Sequence, residues 1–563
     1  MPSIDLKESF LKFLDTTEPL EMIDIFESIR TITPTYESLK EKVLPMLPYS
    51  KKSLFTILDK RFSRYEKVTV PSNILISGGG PCGLRAAVEA AMLGHQVTLI
   101  ELRTLFSRHN VLKMFSNLTE DLMDFGLKIW IPTFKPHGHS HIGTKELQLV
   151  LLKVALMLQV KVHFGFGVCG IIDPIMLKTI NMEQSNLKGL DQHKWKVWTL
   201  PTDQAKQYLK LKASKVVELD DLTPGETDIY QFEKISKVDY FEKYLSKDGA
   251  IIRHPFENET ELNLFHQSKI IDFDSLIVAE GESSKLIRNL GFDRKLQRFS
   301  QAIGIVINMN FSKTVKENKL QEFVLTRQSA LWKSTALGPL ADQNLKLESL
   351  EYMRGTTNHF FAAATKIKEL KEYGVIAEVK STVKETLQAD NVNFDKLREM
   401  GRLIAKVCGV HQDAEYCDKN GIQMFDFSAR GVCVQTHQWL NSVDEHVMDA
   451  LVVPVGDTFQ NPYWPQGLGI NRGFHSAIDG VWAAHLSAIS NGDKHLVDEE
   501  RKNAFLTSEW SVFMDNTVIS GHEWKTDPLY RYHPALFLSR YNNETAIHTL
   551  PPRFVDAVLK KDQ

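Results

Sequence analysis

The chain has 563 residues, of which 43% are hydrophobic and 24% are charged, and its formal net charge is −3. These values are typical of a globular protein of roughly two to four domains, and they do not support nucleic-acid binding or an electrostatic grip on a membrane. The five cysteines form no C-x-x-C pair, no run of about 18 apolar residues is present, and the N-terminus lacks signal-peptide features, so we expect a protein of a reducing, cytosolic compartment.

Residues 1–70 are predicted to form a helical segment. Apolar residues recur at helical spacing from Leu6 to Leu14 and from Met22 to Ile29, and prolines at 34 and 45 separate the helices. We interpret this segment as structural support for the domain that follows.

The stretch NILISGGGPCGLRAAVEAAMLGHQVTLIEL (73–102) is typical of a dinucleotide-binding strand–helix–strand unit. Gly78, Gly80 and Gly83 have G-x-G-x-x-G spacing, which allows a tight turn, close approach of a pyrophosphate, and close packing of the helix on the strand. The helix N-terminus favours phosphate, and Glu101, at the end of the second strand, is placed to bind a ribose. A glycine-rich loop without a ligand is the alternative.

Polar residues follow the second strand directly. Arg103, Arg108 and Asn110 could contact the cofactor, although a surface loop would have the same composition. An amphipathic helix is predicted over Lys145–Leu158 and a strand over Val160–Phe164, and we assign both to the core.

Residues 200–265 are rich in Lys, Asp and Glu, with interspersed aromatic residues, and are predicted to be an insertion. It is either a solvated elaboration or a partner-binding lobe. Buried strands are predicted again at Leu276–Ala279 and Ala302–Asn310, followed by a hairpin around Gly355 and a helix over Phe394–Val407.

A second motif lies near residue 460. A buried strand, Leu451–Val455, ends at Gly456-Asp457, and a glycine- and proline-rich turn leads into a helix over Asn471–Leu486. Asp457 could bind the ribityl hydroxyls of a flavin, and the helix dipole could stabilise negative charge on a reduced ring. The alternative for Asp457 is a helix cap or turn residue.

Together these motifs resemble FAD-dependent aromatic-hydroxylase-type monooxygenases, and most closely the MICAL flavoprotein monooxygenases. The resemblance covers nearly the whole chain, from LDKR (58–61) to TDPLYRY (526–532), and includes Glu101-Leu102-Arg103. Its longest segments are GGGPCGLR (78–85), FSRHNVL (106–112), ELQLVLLKVALML (146–158), NHFFAAATK (358–366), MFDF (424–427) and GDTFQNPYWPQGLGINRGF (456–474).

The resemblance implies an α/β fold: a Rossmann-like FAD-binding domain of the p-hydroxybenzoate hydroxylase type, a smaller sheet-rich monooxygenase domain and flanking helices. The implied division begins with a helical segment at 1–70 and a first FAD-binding segment at 71–295, which contains the insertion. A sheet-rich substrate domain at 296–445, a second FAD-binding segment at 446–490 and a helical tail at 491–563 follow.

The resemblance also implies roles for individual residues. The positions expected to bind FAD are Gly78, Gly80, Cys82, Gly83, Glu101, Arg103, Arg108, Asn110, Val168, Tyr352, Asp457, Gly467 and Gly469. Trp464 is expected beside the flavin ring, with Asn110 and His359 near the reaction centre and Phe361 on the same sheet. Core packing is the alternative for Trp464 and His359. No metal is expected.

The activity implied by the resemblance is oxidation of a protein methionine to the sulfoxide, with FAD as cofactor and NADPH and O2 as co-substrates. The implied substrate is filamentous actin, which would disassemble, and the protein would be a cytoplasmic, cytoskeleton-associated monomer, of a eukaryote or of a microbe that delivers it into a host cell. The alternatives are an NADPH oxidase that releases H2O2, a hydroxylase of small aromatic compounds, and an actin- or partner-binding module that holds FAD without turnover.

The sequence departs from the family pattern at several points. The family's Asp-Gly-Arg-Arg stretch is replaced by Glu280-Gly281-Glu282-Ser283, which removes two positive charges, and a tryptophan of the flavin loop is replaced by Phe115. The 200–265 insertion is longer than the corresponding link. No calponin-homology or LIM domain follows, so we expect a stand-alone form.

Overall fold

The computed structural model describes residues 5–65, 67–136, 139–174, 191–213, 259–298, 302–312, 317–326, 340, 343–426, 429–442, 446–461, 467, 469–510 and 526. The helices are α1 (Leu6–Asp15), α2 (Pro19–Arg30), α3 (Tyr36–Val43), α4 (Tyr49–Phe62), α5 (Pro81–Met92), α6 (Ser116–Met123), α7 (Leu127–Trp130), α8 (Thr144–Met157), α9 (Thr202–Ala213), α10 (Glu259–His266), α11 (Lys285–Asn289), α12 (Ile367–Glu372), α13 (Val383–Thr386), α14 (Phe394–Val407), α15 (Gly469–Ile489) and α16 (Lys494–Trp510).

The strands are β1 (Asn73–Ser77), β2 (Gln96–Glu101), β3 (Val111–Phe115), β4 (His139–Gly143), β5 (Lys161–Phe164), β6 (Phe166–Ile172), β7 (Trp195–Pro201), β8 (Lys269–Phe273), β9 (Ser275–Val278), β10 (Arg294–Arg298), β11 (Ala302–Asn310), β12 (Phe323–Thr326), β13 (Ser349–Arg354), β14 (Asn358–Lys366), β15 (Ile422–Asp426), β16 (Ala429–Cys433), β17 (Gln438–Leu440) and β18 (Ala450–Pro454). Short 3₁₀ turns lie at Leu44–Met46, Glu317–Lys319 and Gly456–Thr458.

A six-stranded sheet with the order β17-β18-β9-β1-β2-β5 forms the larger domain. All neighbouring pairs are parallel except β17 with β18. Ile74, Leu75 and Ile76 are buried in the central strand, as an uncharged strand covered on both faces requires. The α/β class predicted from the sequence is therefore confirmed. β17, at 438–440, belongs to this sheet although it precedes the domain boundary drawn at residue 446.

A second, antiparallel sheet has the order β12-β13-β14-β11-β15. Its β13–β14 hairpin turns at Gly355, as predicted, and α14 begins and ends where the sequence pattern places it. Leu397, Met400 and Ile404 of this helix lie in a core with one face of the sheet. That core is separate from the one beneath the six-stranded sheet.

The described ends of the 200–265 insertion are helical. α9 and α10 pack on the three-stranded sheet β6-β7-β8, where Tyr208 and Phe265 contact Trp198. Residues 214–258 lie outside the described ranges, as do the tail residues after 510 except Thr526. No helix among the residues described has the length and apolar character needed to cross a membrane.

The N-terminal helices are joined to the larger domain by a buried charge network. Phe10, Phe13 and their apolar neighbours enter the same core as α5 and α8. Arg85 of the glycine-rich motif pairs with Glu89 at 2.8 Å and with Asp121 at 2.8 Å. Arg61 of α4 pairs with Asp121 at 2.9 Å and donates to the Thr526 carbonyl. α4, α5, α6 and Thr526 therefore meet at these charges.

We predict that Arg85→Met lowers the free energy of unfolding by about 3–5 kcal/mol, because it removes the cation paired with the buried Glu89 and one of the two cations paired with the buried Asp121. Thermal and denaturant unfolding of the cofactor-free protein measure this loss. Lys368→Met, which breaks the exposed Lys368–Glu372 pair, is the control and should change stability by less than about 0.5 kcal/mol. Equal effects of the two substitutions would contradict the structural role of Arg85.

Candidate cofactor site

The turn between β1 and α5 is shaped by glycines with different constraints. Gly78 has a φ of +109°, and a Cβ at this position would overlap the Ala279 carbonyl group. A Cβ on Gly83 would overlap the Gly78 carbonyl oxygen, so only glycine allows this helix–strand distance. At Gly80, in contrast, no atom lies within 4 Å of the Cβ position. The backbone at Gly80 therefore faces open space.

Gly80 is also the N-cap residue of α5, and no side chain caps the helix there. Free N–H groups and the positive end of the helix dipole are thus available to an anion. The Glu101 carboxylate accepts hydrogen bonds from the backbone N–H of Gly79 at 2.6 Å and of Arg103 at 2.8 Å. These bonds hold Glu101 beside the turn, so its orientation is set by the loop itself.

A cavity of about 1240 Å³ opens at the carboxyl ends of β1, β2, β9 and β18 and extends to the second sheet. Ligands of open α/β sheets bind at this edge. The volume exceeds the roughly 300–1,000 Å³ usual for small-molecule pockets. The predicted residues that line it are Gly78, Gly80, Cys82, Glu101, Arg103, Arg108, Asn110, Val168 and Asp457.

Asp457 follows β18 in the 3₁₀ turn Gly456–Thr458. Burial raises the pKa of its carboxyl to about 6, with Arg108 acting in the opposite direction. The Cys82 side chain packs below this turn, where a Cβ at Gly456 or Gly473 would come within 2.9 and 2.6 Å of its Sγ atom. Burial, and then the Asp457 charge, raise the pKa of the Cys82 thiol, so it stays neutral.

The loop after β9, where Glu280-Gly281-Glu282-Ser283 departs from the family pattern, contributes residues that were not among the predicted site residues. The Glu280 carboxylate lines the cavity and accepts hydrogen bonds from Ser77 Oγ at 2.5 Å and Ser284 Oγ at 2.7 Å. Burial raises its pKa. Gly281 donates its N–H to Thr458 Oγ1 at 2.8 Å, and that hydroxyl donates to the Gly281 carbonyl at 3.1 Å. The loops after β9 and β18 are therefore joined.

A chain of amides connects the loop between β2 and β3 (residues 102–110), which we call the cofactor loop, to the second sheet. Asn308 of β11 donates to Asn110 Oδ1 at 3.1 Å. Asn358 of β14 donates both to Asn308 Oδ1 at 3.1 Å and to the His109 carbonyl at 3.0 Å. The sequence singled out Asn110 alone, because Asn308 and Asn358 are distant in the chain and become neighbours only when β11 pairs with β14.

Tyr352, His359 and Phe361 do not occupy the positions predicted for them. Each lies on the face of the second sheet that packs into its own core, and none belongs to the described lining of the cavity. His359 is fully buried and pairs with Met309 across the strands, while Tyr352 Oη lies 2.8 Å from His359 Nδ1.

The lining residues Val306 and Asn308 project from the opposite face of the same sheet. Because successive strand residues alternate between faces, an offset of one residue reverses the orientation of a side chain. The expectation that Tyr352, His359 and Phe361 face the cofactor is therefore corrected, and the core-histidine alternative fits His359.

The remaining predicted positions are dispersed. Gly467 has a φ of +63° and lies near Lys113, and Gly469 begins α15. Gly83 contributes to the turn without lining the cavity. Trp464 lies outside the described residues.

Phe115, which replaces a tryptophan of the family pattern, is buried. It donates its backbone N–H to Asn471 Oδ1 at 2.9 Å, which attaches β3 to α15.

No cluster of three or more His, Cys, Asp or Glu side chains suited to a metal ion occurs within the described ranges. The polar groups around the cavity instead include cations, carboxylates and backbone N–H groups. Such a set suits an extended anionic ligand with hydroxyl groups.

No family model matches the chain. It is 28% identical over 459 residues to the Homo sapiens protein named [F-actin]-monooxygenase MICAL2, which covers 79% of this chain and 19% of that protein. It is 28% identical over 510 residues to [F-actin]-monooxygenase MICAL1 of Rattus norvegicus, covering 89% and 40% of the two chains. It is 27% identical over 528 residues to Protein-methionine sulfoxide oxidase mical3a of Danio rerio, which covers 92% of this chain and 22% of that protein.

The chain thus spans between 19% and 40% of the length of these relatives. Among solved structures it is similar to CmlS, a flavin-dependent halogenase, with 12% identity and a TM-score of 0.46 over 88% of this chain and 70% of that chain. A TM-score below 0.5 does not establish a common fold, so we draw no conclusion from this match.

We predict that Gly80→Ala impairs cofactor binding without impairing folding, whereas Gly83→Ala impairs folding itself. At Gly80 the backbone angles suit alanine and the Cβ position is open, so the cofactor-free variant should fold with nearly unchanged stability. Its new methyl group would occupy the approach of a pyrophosphate, and we expect FAD affinity to fall about tenfold or more, or about 1.4 kcal/mol. Gly83→Ala should fail to fold. Flavin fluorescence titration and circular dichroism separate the two results.

We predict that Asp457→Asn stabilises the cofactor-free protein more at pH 8 than at pH 5. The folded-state pKa of about 6 lies above the ordinary 3.8, so the folded protein holds this proton more tightly; the destabilisation begins near pH 4, where the unfolded chain ionises, and is complete above pH 6. We expect a rise in Tm of about 1–2 °C at pH 8 that shrinks towards pH 5. Asp390→Asn, at an exposed carboxylate, is the control. A gain that is equal at both pH values would contradict this assignment.

Proposed function

We propose that this chain is an FAD-dependent monooxygenase that uses NADPH and O2 to convert a methionine side chain of actin to the sulfoxide. The observation that carries the proposal is the coincidence of two features. The cavity opens at the glycine-rich turn of a parallel sheet, and the chain is similar, over 79–92% of its length, to proteins named as F-actin monooxygenases or methionine sulfoxide oxidases.

The residues around the cavity fit FAD. The open backbone at Gly80 and the uncapped N-terminus of α5 suit the pyrophosphate. All four residues predicted for the sugar and ribityl parts line the cavity: Glu101 and Arg103 would hold the adenosine ribose, and Arg108 and Asp457 would contact the ribityl chain. The cavity also extends to residues of the second sheet, among them Val306 and Asn308.

Bound FAD would supply the redox chemistry: it would take two electrons from NADPH and activate O2 for transfer of one oxygen atom. In the overall reaction, NADPH, H⁺, O2 and the thioether give NADP⁺, water and the sulfoxide. A thioether is a soft nucleophile that carries no proton to remove, so the chain needs no general base for this step. The neutral Cys82 thiol and the core position of His359 are consistent with such a site.

The tasks left to the protein are positioning and exclusion of water. The amide chain from Asn110 to Asn358 fixes the cofactor loop against the second sheet, and the bonds between Gly281 and Thr458 fix the two loops that flank it. On the far side, Val306 and Phe425 present apolar surface to the cavity. An apolar wall suits an uncharged methionine side chain.

The deciding experiment is NADPH oxidation by the FAD-loaded protein with and without filamentous actin, followed by mass spectrometry of the actin. We expect actin to stimulate NADPH oxidation and one or more actin methionines to gain one oxygen atom. Monomeric actin and free methionine serve as comparison substrates, and catalase removes H2O2 that would oxidise methionine without the enzyme.

The other outcomes identify the alternatives. NADPH oxidation that is unchanged by actin and yields H2O2 stoichiometrically would point to an oxidase, and stimulation by a small phenol would point to an aromatic hydroxylase. FAD binding without NADPH oxidation above that of free flavin would leave a binding module.

A further inference from the structure

Arg294 is the first residue of β10 and lies outside the motifs recognised in the sequence. Its guanidinium Nη1 donates to the Glu282 carbonyl oxygen at 2.6 Å, and its Nη2 lies 3.4 Å from the Asp457 carbonyl oxygen. Nη2 also donates to the Asn461 side-chain oxygen. One side chain therefore bonds the loop after β9 and the loop after β18, both of which line the cavity.

The surroundings of Arg294 are shaped to accept it. β10 pairs with β16, and a Cβ at Gly431 of β16 would come within 2.8 Å of Arg294 Nη2. The same β16 backbone supports the second loop: Asn461 donates to the Gly431 carbonyl at 2.8 Å, and Cys433 donates to the Phe459 carbonyl at 2.7 Å. The β10–β16 pair thus holds both the guanidinium and the loop that it contacts.

The two loops are acidic. Residues 280–284 and 456–461 contain Glu280, Glu282 and Asp457 and no Lys, Arg or His; Lys285 and Arg288, which also line the cavity, belong to the helix α11 that follows the first loop. A ligand with phosphate groups would meet three carboxylates here, and an additional positive charge would offset part of that repulsion. A planar guanidinium with several donors can bond two loops at once, which a lysine ammonium does less well.

We propose that Arg294 is a positioning residue of the cofactor site: it locks the loops at 280–284 and 456–461 together and supplies the cation that their own sequences lack. This inference rests on the proposed function only insofar as that function requires FAD binding. In the cofactor-free protein, burial and the charge of Glu282 raise the pKa of Asp457, while the charges of Arg108 and, to a smaller extent, Arg294 lower it. Removing that charge should shift the titration of Asp457 upward.

The test compares Arg294→Gln, Arg294→Lys and Gly431→Ala. Arg294→Gln removes the charge and the planar guanidinium with its paired donors, whereas Arg294→Lys keeps only the charge. Gly431→Ala keeps Arg294 but places a methyl group against its guanidinium. FAD affinity is measured by flavin fluorescence between pH 5.5 and 8.5, with the flavin absorption spectrum and the Tm of the cofactor-free protein recorded in parallel. Arg402→Gln is the matched control, since Arg402 donates to the Ala414 carbonyl and contacts Tyr416 in the second domain.

We expect Arg294→Gln to weaken FAD binding about 10- to 100-fold, as for the loss of charged hydrogen bonds, and to move the midpoint of the pH dependence upward. Arg294→Lys should recover some of the affinity and the original midpoint, Gly431→Ala should weaken binding without moving the midpoint, and Arg402→Gln should match the wild type. If Arg294→Gln does not fold, the Lys and Ala variants still carry the comparison.

The proposal would be overturned if, in all three variants, FAD affinity stayed within twofold of the wild type and the pH midpoint did not move. The proposed function would remain intact in that case. Loss of stability without loss of affinity in the folded fraction would reduce Arg294 to a structural residue. Failure of the wild-type protein to bind FAD would contradict the proposed function as well as this inference.

Discussion

The site depends on the approach of α5 to β1, where Gly83 packs directly on the Gly78 carbonyl group. Any side chain at residue 83 would separate helix from strand. With the helix in this position, its uncapped N-terminus points along the sheet edge, Cys82 fits beneath Gly456 and Gly473, and Arg85 reaches Glu89 and Asp121. One close backbone contact therefore places both the glycine-rich turn and the buried charges that hold the N-terminal helices.

The electrostatics of the cavity follow from charges that come from different regions of the chain. The loops after β9 and β18 supply carboxylates, of which Glu280 and Asp457 have pKa values raised by burial. The cations that line the cavity include Arg103 and Arg108 from the loop after β2 and Lys285 and Arg288 from α11, and Arg294 of β10 bonds the two acidic loops. Such a balance suits a ligand that carries phosphates at one end and neutral hydroxyl groups further along.

The second sheet closes the site from the far side. Its side chains alternate between two faces, and the two faces have different roles. One face, with Tyr352, His359 and Phe361, forms a core with α14, whereas the other presents Val306 and Asn308 to the cavity. Asn308 and Asn358 carry hydrogen bonds from this sheet to the cofactor loop. The cofactor loop is thus held in place by the second domain, whose hydrophobic core is separate from that of the larger domain.

Elements with local signals could be predicted from the amino-acid sequence: the strand–turn–helix of residues 73–102, the strand before Asp457, the β13–β14 hairpin and α14. The spacing of glycines and apolar residues is a property of neighbours in the chain, so it can be read without knowing the fold. The folded structure was needed to show that His359 faces a core, that Asn308 bonds Asn110, and that Arg294 bonds two loops more than 170 residues apart. These contacts depend on which strands pair and on the register of that pairing. A shift of one residue in the register would turn each side chain to the opposite face of the sheet.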